Sequence, residues 1–455
     1  MKLSLPKLKK AFRSFATPIR LVMFGFLAII LTGTVLLLMP FATNYPGSLS
    51  FTDALFTATS ATCVTGLSVA NLTTEFTVYG QIVVLLLSQI GGIGFMTVTS
   101  SVYILIRHRI SLRKRLAMRE DLSQEGFAGL KILTLNIVKF TFVIELAGAV
   151  LLSVAFLRYF SAGKAVWYGV FHSVMAFCNS GFDIISPENT SFVAYNSDPF
   201  ILLVLAFLII LGGIGFMVIA DVLSLRKKKR LRLHSKVVLS VTAVLLFLGT
   251  LGFLIAEYNN PLTIGNMNFG DKLLNSFFQS VTARTAGFAS LDQNSMTGFS
   301  HSLTIALMFI GACPGSTGGG IKTTTLFVLL ATVFATLRKK NEIVIDMHSI
   351  GRETLSKAAT TLVLALAVAV LSIMGLEIAC GGVFEGDVLL FEQVSAYATV
   401  GLSRGITMSL NNAAKLILTL NMYIGRIGSF GFFMAFVAAE KIQPKVKYPE
   451  SGIVL

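Results

Sequence analysis

The stretch Phe51–Leu67, FTDALFTATSATCVTGL, decides how this chain is read. Its apolar part, Phe51–Thr62, follows a full hydrophobic run and is too short to cross a bilayer as a helix. It leads into Gly66-Leu67. Three later stretches share the plan: Tyr168–Phe177 before Gly181-Phe182, Leu273–Ala283 before Gly287-Phe288, and Leu389–Ala398 before Gly401-Leu402. Aligned on the glycines, the residue ten places earlier is always phenylalanine: Phe56, Phe171, Phe277 and Phe391. The residue five places earlier is always small: Ala61, Ala176, Thr282 and Ala396. A pattern that recurs four times in register is an internal repeat, and it sets the architecture.

The second span of each repeat carries a matching column. Gly91-Gly92-Ile93-Gly94 aligns with Gly212-Gly213-Ile214-Gly215, Gly319-Gly320-Ile321-Lys322 and Gly425-Arg426-Ile427-Gly428. Small residues of this kind let membrane helices approach closely, which accounts for the first two repeats but not for the charges in the third and fourth. The expected fold is an all-α polytopic membrane protein with four M1–pore loop–M2 repeats in a pseudo-four-fold arrangement around one pore. The repeats are placed at 1–115, 116–235, 236–345 (with a broken M2 and an intramembrane loop) and 346–455 (with a cytoplasmic tail).

Composition supports a membrane setting. Charged residues make up 13% of the chain and hydrophobic ones 54%, against roughly 25% charged in soluble domains. Runs such as Ile19–Pro40, Gln81–Ile106, Phe200–Leu225 and Leu362–Ala379 are long enough to cross ~30 Å of hydrocarbon. The first run is too long for a signal peptide and lacks a small-residue cleavage site, so it reads as a retained span. The net charge of +15 is not a nucleic-acid footprint, because the basic residues cluster on alternate connections. They lie at Lys2–Arg20, Arg107–Arg119, Arg226–Lys236, Arg338–Lys340 and Lys441–Lys447, while the other connections hold acids such as Asp53, Asp183 and Glu392. This positive-inside pattern puts both termini in the cytoplasm. Cys63, Cys178, Cys313 and Cys380 have no metal-site spacing and read as packing residues. No His-Glu-x-x-His motif is present and the five histidines are scattered, so an enzyme is not expected.

The chemistry suggested is cation conduction. Non-helical backbone at membrane depth is tolerated only where protein buries it or it lines an aqueous cavity, and four such loops converge naturally on one axis. Rings of backbone carbonyls replace a cation's hydration shell. Glycine reaches the backbone conformations that aim successive carbonyls the same way, and carboxyl ends of short helices facing the axis favour a cation there. The narrowest ring is therefore expected at Gly66, Gly181, Gly287 and Gly401. The filter as a whole comprises Val64, Thr65, Gly66, Asn179, Ser180, Gly181, Thr285, Ala286, Gly287, Thr399, Val400 and Gly401.

In the third repeat, Ser302–Leu337 is interrupted by Gly311-Ala312-Cys313-Pro314-Gly315-Ser316-Thr317-Gly318-Gly319-Gly320. Proline and five glycines break a membrane helix, which points to a movable intramembrane loop. Ile321 separates Gly320 from Lys322 and no strand precedes the run, so it is not a phosphate-binding loop. Arg426 lies mid-span, where an ionisable residue is functional by default. It is expected either to hydrogen-bond the carbonyls of the broken loop or to form a positive barrier below the filter. Lys322 is placed toward the inner vestibule. Arg284 and Glu145, Glu257 and Glu377 are expected to brace the pore loops, with the partner of Arg284 left open, and Trp167 and Tyr168 to anchor at the interface.

The motifs Thr62-Cys63-Val64-Thr65-Gly66-Leu67, Asn179-Ser180-Gly181-Phe182, Ala283-Arg284-Thr285-Ala286-Gly287-Phe288 and Ala398-Thr399-Val400-Gly401-Leu402 together resemble the TrkH/KtrB/HKT superfamily of potassium transporters, above all its bacterial KtrB-type pore subunits. Gly311–Thr325 and Gly425–Gly428 extend the resemblance along essentially the whole chain. It implies potassium uptake through a pore in the bacterial cell membrane, with sodium as a possible second ion or coupled partner (symport). It also implies a homodimer, a cytoplasmic ring of nucleotide-binding regulatory subunits, and a gate formed by Gly315, Ser316, Thr317, Gly318, Gly319, Gly320, Lys322 and Arg426. No cofactor is expected beyond the transported potassium, and membrane lipid is the other partner. Four glycines in the filter, with none replaced by serine, imply potassium preference within that superfamily. Cys178 and Ser180 stand where its members often have Asn and Ala, a departure that bears on fine selectivity. The alternatives are a sodium-translocating member of the same fold and an alternating-access carrier, although repeats of such carriers are commonly inverted.

Overall fold

The computed structural model describes residues 17–45, 47–94, 97–98, 130–187, 190–228, 230–340 and 342–437. The basic clusters at the amino end (Lys2–Arg13), at Arg107–Arg119 and in the tail lie outside the described residues, as does the repeat boundary at 115/116.

Each repeat is a long helix, a short helix, an extended strand and a second helix. Repeat one has α1 (Pro18–Leu37), α2 (Phe51–Thr62) and α3 (Val78–Ile93). Repeat two has α4 (Leu130–Phe156), α5 (Ala162–Cys178), α6 (Pro199–Ile214) and α7 (Phe216–Lys228). Repeat three has α8 (Leu233–Glu257), α9 (Phe269–Thr282), α10 (Gly298–Ile310) and α11 (Thr323–Leu337). A small antiparallel hairpin, β1 (Val344–Ile345) with β2 (His348–Ser349), leads to repeat four: α12 (Arg352–Cys380), α13 (Gly386–Tyr397), α14 (Asn412–Ile427) and α15 (Ser429–Met434). The expected boundary at 235/236 thus falls in the first turn of α8, and that at 345/346 inside the hairpin. Lys236 reaches across to the hairpin, and its ammonium, 2.6 Å from Asp346, holds that carboxyl below the usual aspartate range.

Among the described residues the four M1 helices are the ones long and apolar enough to span, with mean hydropathy from 2.1 to 2.5. Their outward faces are bare hydrocarbon: Leu146 and Val150 on α4, Phe247 and Ile255 on α8, Leu371 and Ile378 on α12. Such faces are stable only in an apolar solvent. The M2 helices are shorter. At 16 residues, α3, α6 and α14 each extend about 24 Å. Each M2 starts on a polar cap: Thr77, Asp198, Thr297 and Asn411 accept the N–H of Gly80, Ile201, Ser300 and Ala414 at 3.3, 3.2, 3.3 and 2.9 Å.

The expected single span over Phe200–Leu225 is corrected here: α6 and α7 meet at 98°. The cause is Gly215, with φ 100° and ψ 138°. Gly94 (92°, 132°) and Gly428 (86°, 135°) end their helices in the same conformation, which only glycine adopts readily. The repeated glycine column is therefore a helix terminator as well as a packing surface. In repeat three its last position is Lys322, at an ordinary φ of −75°. There the break has moved upstream to Gly311, with φ 65° and ψ −157°.

The repeats close into a ring. M2 of each packs on the pore helix of the next: α3 on α5, α6 on α9, α10 on α13, and α14 back on α2. The last junction carries a partly buried ion pair, Lys415 to Asp53 at 2.6 Å. Beneath it the Nε of Arg20 in α1 donates to the carbonyl of Ala435 at 2.6 Å, so both ends of the described chain lie on one side.

Candidate functional site

Behind the axis, Phe56, Phe171 and Phe391 are fully buried and Phe277 partly so, seating each short helix against its neighbours. At the end of each short helix the backbone turns left-handed twice. Two residues before each filter glycine, Val64, Asn179, Thr285 and Thr399 have φ of 60°, 59°, 70° and 53°. The glycines Gly66, Gly181, Gly287 and Gly401 follow at 93°, 68°, 81° and 96°. A non-glycine residue at positive φ is unfavourable, and four in register mark a functional constraint. Alternation of positive-φ residues with residues outside that region turns successive carbonyls to the same side of the chain. Thr65, Ser180, Ala286 and Val400 sit between them.

The glycines meet in a closed ring. A Cβ on Gly181 would lie 2.7 Å from the carbonyl oxygen of Ala286, and one on Gly287 2.5 Å from that of Val400. On Gly401 it would overlap the carbonyl oxygen of Thr65, and on Gly66 that of Ser180. All twelve predicted filter residues thus line or flank one ring. Outside it lies a cavity of about 210 Å³ whose wall includes the four glycines, Asp183, Asp292 and Ser403. At its rim the Arg404 guanidinium, hydrogen-bonded to Asp387 at 2.6 Å, holds that carboxyl below its usual range.

Some supports escape sequence reasoning. The hydroxyls of Ser60 and Ser395 each accept the N–H of their filter glycine, Gly66 and Gly401, at 3.1 Å. The equivalent residues in repeats two and three are Met175 and Val281. A serine six places before the glycine is the available signal, but it occurs in only half the repeats. The first glycine of the M2 motif in repeats one, two and four serves a different purpose. A Cβ on Gly91, Gly212 or Gly425 would overlap the carbonyl of Thr62, Phe177 or Tyr397. These glycines let M2 lie on the last turn of its own pore helix. Gly425→Ala is expected to destabilise the protein by about 1–3 kcal/mol through overpacking. Gly431→Ala, whose Cβ would meet its nearest neighbour at 3.6 Å, should be neutral. Thermal unfolding of the two purified variants checks this, and equal midpoints would refute it.

The interrupted segment of repeat three folds directly under the ring. The N–H of Gly319 donates to Thr399 Oγ1 at 3.0 Å, and Gly318 packs on Thr285. Repeat two supplies the backbone partners that its own broken helix leaves free. The carbonyls of Gly213 and Gly212 accept the N–H of Cys313 (3.1 Å) and Thr317 (3.3 Å), and the N–H of Phe216 donates to Gly315 at 2.9 Å. Thr317 Oγ1 also donates to the Phe177 carbonyl at 3.3 Å. Ser316 Oγ closes a local turn on the Cys313 carbonyl at 2.6 Å. Lys322 does not point away into the vestibule but turns back on the loop, with Nζ 2.6 Å from the Gly318 carbonyl and 3.4 Å from that of Gly319. Gly320 completes the loop at φ 73°.

Arg426 joins three repeats. Its guanidinium donates to the carbonyl of Thr317 in the loop and to that of Gly91 in the first M2, with Gly92 at 3.5 Å. The hydrogen bond to the loop, expected as one of two roles for Arg426, is thus present.

The glutamates separate. Arg284 is 8% exposed and donates to Cys313 Sγ at 3.8 Å. Among the described residues no ion pair joins it to a carboxylate. Glu145 takes Gln89 Nε2 at 3.0 Å and Cys178 Sγ at 3.8 Å. Glu257 accepts from Asn260 and Thr263 just past its own helix and from Thr297 and Ser300 at the start of the third M2. Trp167, read from the sequence as an interfacial anchor, donates its Nε1 to Gln81 of the first M2 at 2.9 Å. The four cysteines are free and buried.

Comparison with known proteins completes the picture. The family model described as TrkH, cation transport protein, matches residues 7–445. The chain is 39% identical over 454 residues to the potassium/sodium uptake protein NtpJ of Enterococcus hirae, covering 98% of this chain and 99% of that one. It is 41% identical over 437 residues to the Ktr system potassium uptake protein B of Bacillus subtilis, covering 96% of each. The crystal structure of the potassium transporter TrkH from Vibrio parahaemolyticus superposes with a TM-score of 0.69 at 18% identity, covering 91% of this chain and 85% of that one.

Proposed function

The chain belongs to the TrkH cation transport family, a family of ion transporters and not of enzymes, and from that premise we propose that it takes potassium into the cell. It is a multi-pass membrane protein of four pseudo-equivalent repeats. In this reading the carbonyls of the twelve filter residues around Gly66, Gly181, Gly287 and Gly401 replace the hydration oxygens of the ion. The loop Gly315–Gly320, with Lys322 and Arg426, is the gate below them. The observation that carries the reading is the ring itself, four strands with the same left-handed alternation and each glycine against its neighbour's carbonyl. A pathway built on this ring needs no alternating access. The loop touches filter residues Thr285 and Thr399 from the inner side, where an obstruction stops a dehydrated ion.

The remaining assignments rest on the family resemblance and on charge placement. We assign repeats to 1–115, 116–235, 236–345 and 346–455, both termini and the basic clusters to the cytoplasm, and the location to a bacterial cell membrane. The working assembly is a homodimer on a cytoplasmic ring of nucleotide-binding subunits. Sodium is the second cargo to test, since one relative is named for both ions. The test is radioactive rubidium uptake into cells stripped of their own potassium uptake systems, with the regulatory subunit co-expressed. Uptake and restored growth at low potassium are expected, with sodium competing weakly. Failure to restore growth, or uptake of sodium alone, overturns the potassium reading.

A further inference from the structure

Nine residues before each filter glycine the pore helix carries Thr57, His172, Phe278 and Glu392, and the last of these meets the loop that leaves the filter. Glu392 is 1% exposed. Among the described residues no ion pair includes it. Its oxygens instead collect donors from one short turn. They accept the backbone N–H of Arg404 at 3.1 Å, the hydroxyl of Thr407 at 3.1 Å and the hydroxyl of Ser403. Ser403 Oγ lies 2.9 Å from Thr407 Oγ1 and accepts the N–H of Gly405 at 2.9 Å. The turn is thus gathered on a single buried carboxylate, and Ser403, Gly405 and Thr407 line the outer cavity beside Gly401.

The same bond recurs in repeat two. His172 Nδ1 pairs with the Tyr168 carbonyl at 2.7 Å, which leaves Nε2 to accept the N–H of Ile184 at 3.4 Å. Ile184 is three residues beyond Gly181, as Arg404 is three beyond Gly401. In repeat one Thr57 Oγ1 has no hydrogen-bond partner among the described residues, and phenylalanine in repeat three cannot accept. The brace therefore belongs to two of the four strands, at one register, and is far stronger in the fourth.

Strand four needs it. Thr399, Gly401 and Gly405 stand at φ 53°, 96° and 83°, and such backbone persists only where its surroundings hold it from several sides. Ser395 holds Gly401 from behind, and Glu392 holds the chain three residues further out. A carboxyl suits this position because its two oxygens take the Arg404 N–H and the Ser403 and Thr407 hydroxyls together, and a buried polar group supplied with donors is tolerated.

We infer that Glu392 is a positioning residue for ion selectivity, which fixes the outer end of the fourth filter strand and so the spacing of the Val400 and Gly401 carbonyls, with His172 playing the same part more weakly in the second. The inference rests on the reading of the glycine ring as a filter. The experiment compares sodium competition against rubidium uptake for the full chain with its regulatory subunit, with membrane levels of folded protein measured alongside. Glu392→Ala is expected to weaken the preference for rubidium over sodium about tenfold. Glu392→Gln keeps an oxygen for the Arg404 N–H and should stay within about threefold of wild type, and Thr407→Val should shift the preference partway.

A purely structural role would lower the amount of folded protein and the maximal rate without moving the preference. Wild-type preference in folded Glu392→Ala overturns the inference. If that variant does not reach the membrane, wild-type preference in Thr407→Val overturns it. A wild-type protein that fails to discriminate the two ions removes the filter reading itself, and that outcome is distinct from the others.

Discussion

Replacing Arg426 with alanine is expected to raise the maximal rate of potassium uptake several-fold and leave the apparent affinity unchanged. The guanidinium reaches the Thr317 carbonyl in the loop and the Gly91 carbonyl in the first M2, so it ties the loop to an element on the far side of the pore. Hydrogen bonds to a charged group contribute about 1.5–3 kcal/mol each. Losing one such tie shifts a closed-to-open ratio by roughly 10–100-fold, a ceiling that the remaining bonds to Gly212, Gly213 and Thr399 will reduce. The filter is untouched, which is why affinity should hold. Arg426→Lys then separates a latch from a positive barrier. Lysine keeps the charge but cannot span two carbonyls as a fork, so a latch predicts high flux in both variants and a barrier predicts it only in alanine. Unchanged flux in both would remove Arg426 from the gate.

The parts of this molecule legible in the sequence are those that repeat. Phe56, Phe171, Phe277 and Phe391 and the four glycines betray the architecture because pseudo-symmetry imposes one local geometry four times. Features confined to some repeats vanish in such an alignment. Ser60 and Ser395 brace two glycines while Met175 and Val281 occupy the same place elsewhere. Glu392 reads as one more acid on an outer connection, although its burial makes it a hub. The bend at Gly215 is hidden for a different reason. A glycine in an apolar run is compatible with close helix packing, and only the backbone shows φ at 100°. Arg284, whose partner the sequence leaves open, meets the sulfur of Cys313. That pairing depends on where a broken helix folds back, which no local pattern encodes.

The bend also explains how repeat three departed from the others without breaking the ring. In repeats one, two and four the motif glycine ends M2 once the helix has passed its pore helix. In repeat three the helix stops earlier, at Gly311, and the residues released become the loop beneath Thr285 and Thr399. Repeat two then matches donors and acceptors with that loop through Gly212, Gly213 and Phe216. Two broken helices satisfy each other, as membrane burial requires of exposed backbone groups. On the proposed reading, selection is therefore shared by all repeats, whereas closure is the work of repeats two, three and four with a contact to one.

The ring makes a graded prediction for serine at the filter. A side chain at Gly66 or Gly401 would approach a neighbouring carbonyl oxygen more closely than 2.5 Å, against 2.5 Å at Gly287 and 2.7 Å at Gly181. The positive φ of each adds about 1–3 kcal/mol of strain for any residue with a Cβ. The strain must be relieved by moving the carbonyl that the Cβ meets. For Gly66→Ser that carbonyl belongs to Ser180 in the next repeat, so the change widens the ring across a repeat junction and adds a hydroxyl. A displaced or partly hydrated ring discriminates less by ion size, and the sodium-to-potassium permeability ratio should rise about tenfold, equivalent to ~1.4 kcal/mol. Gly401→Ser should match it by crowding Thr65, Gly287→Ser should be milder, and Gly181→Ser mildest of the four. Competition of sodium against rubidium uptake, at equal levels of folded protein, ranks them. Four equal ratios would mean that packing between neighbouring strands does not set selectivity, and an unchanged ratio for Gly66→Ser would place selection outside this ring.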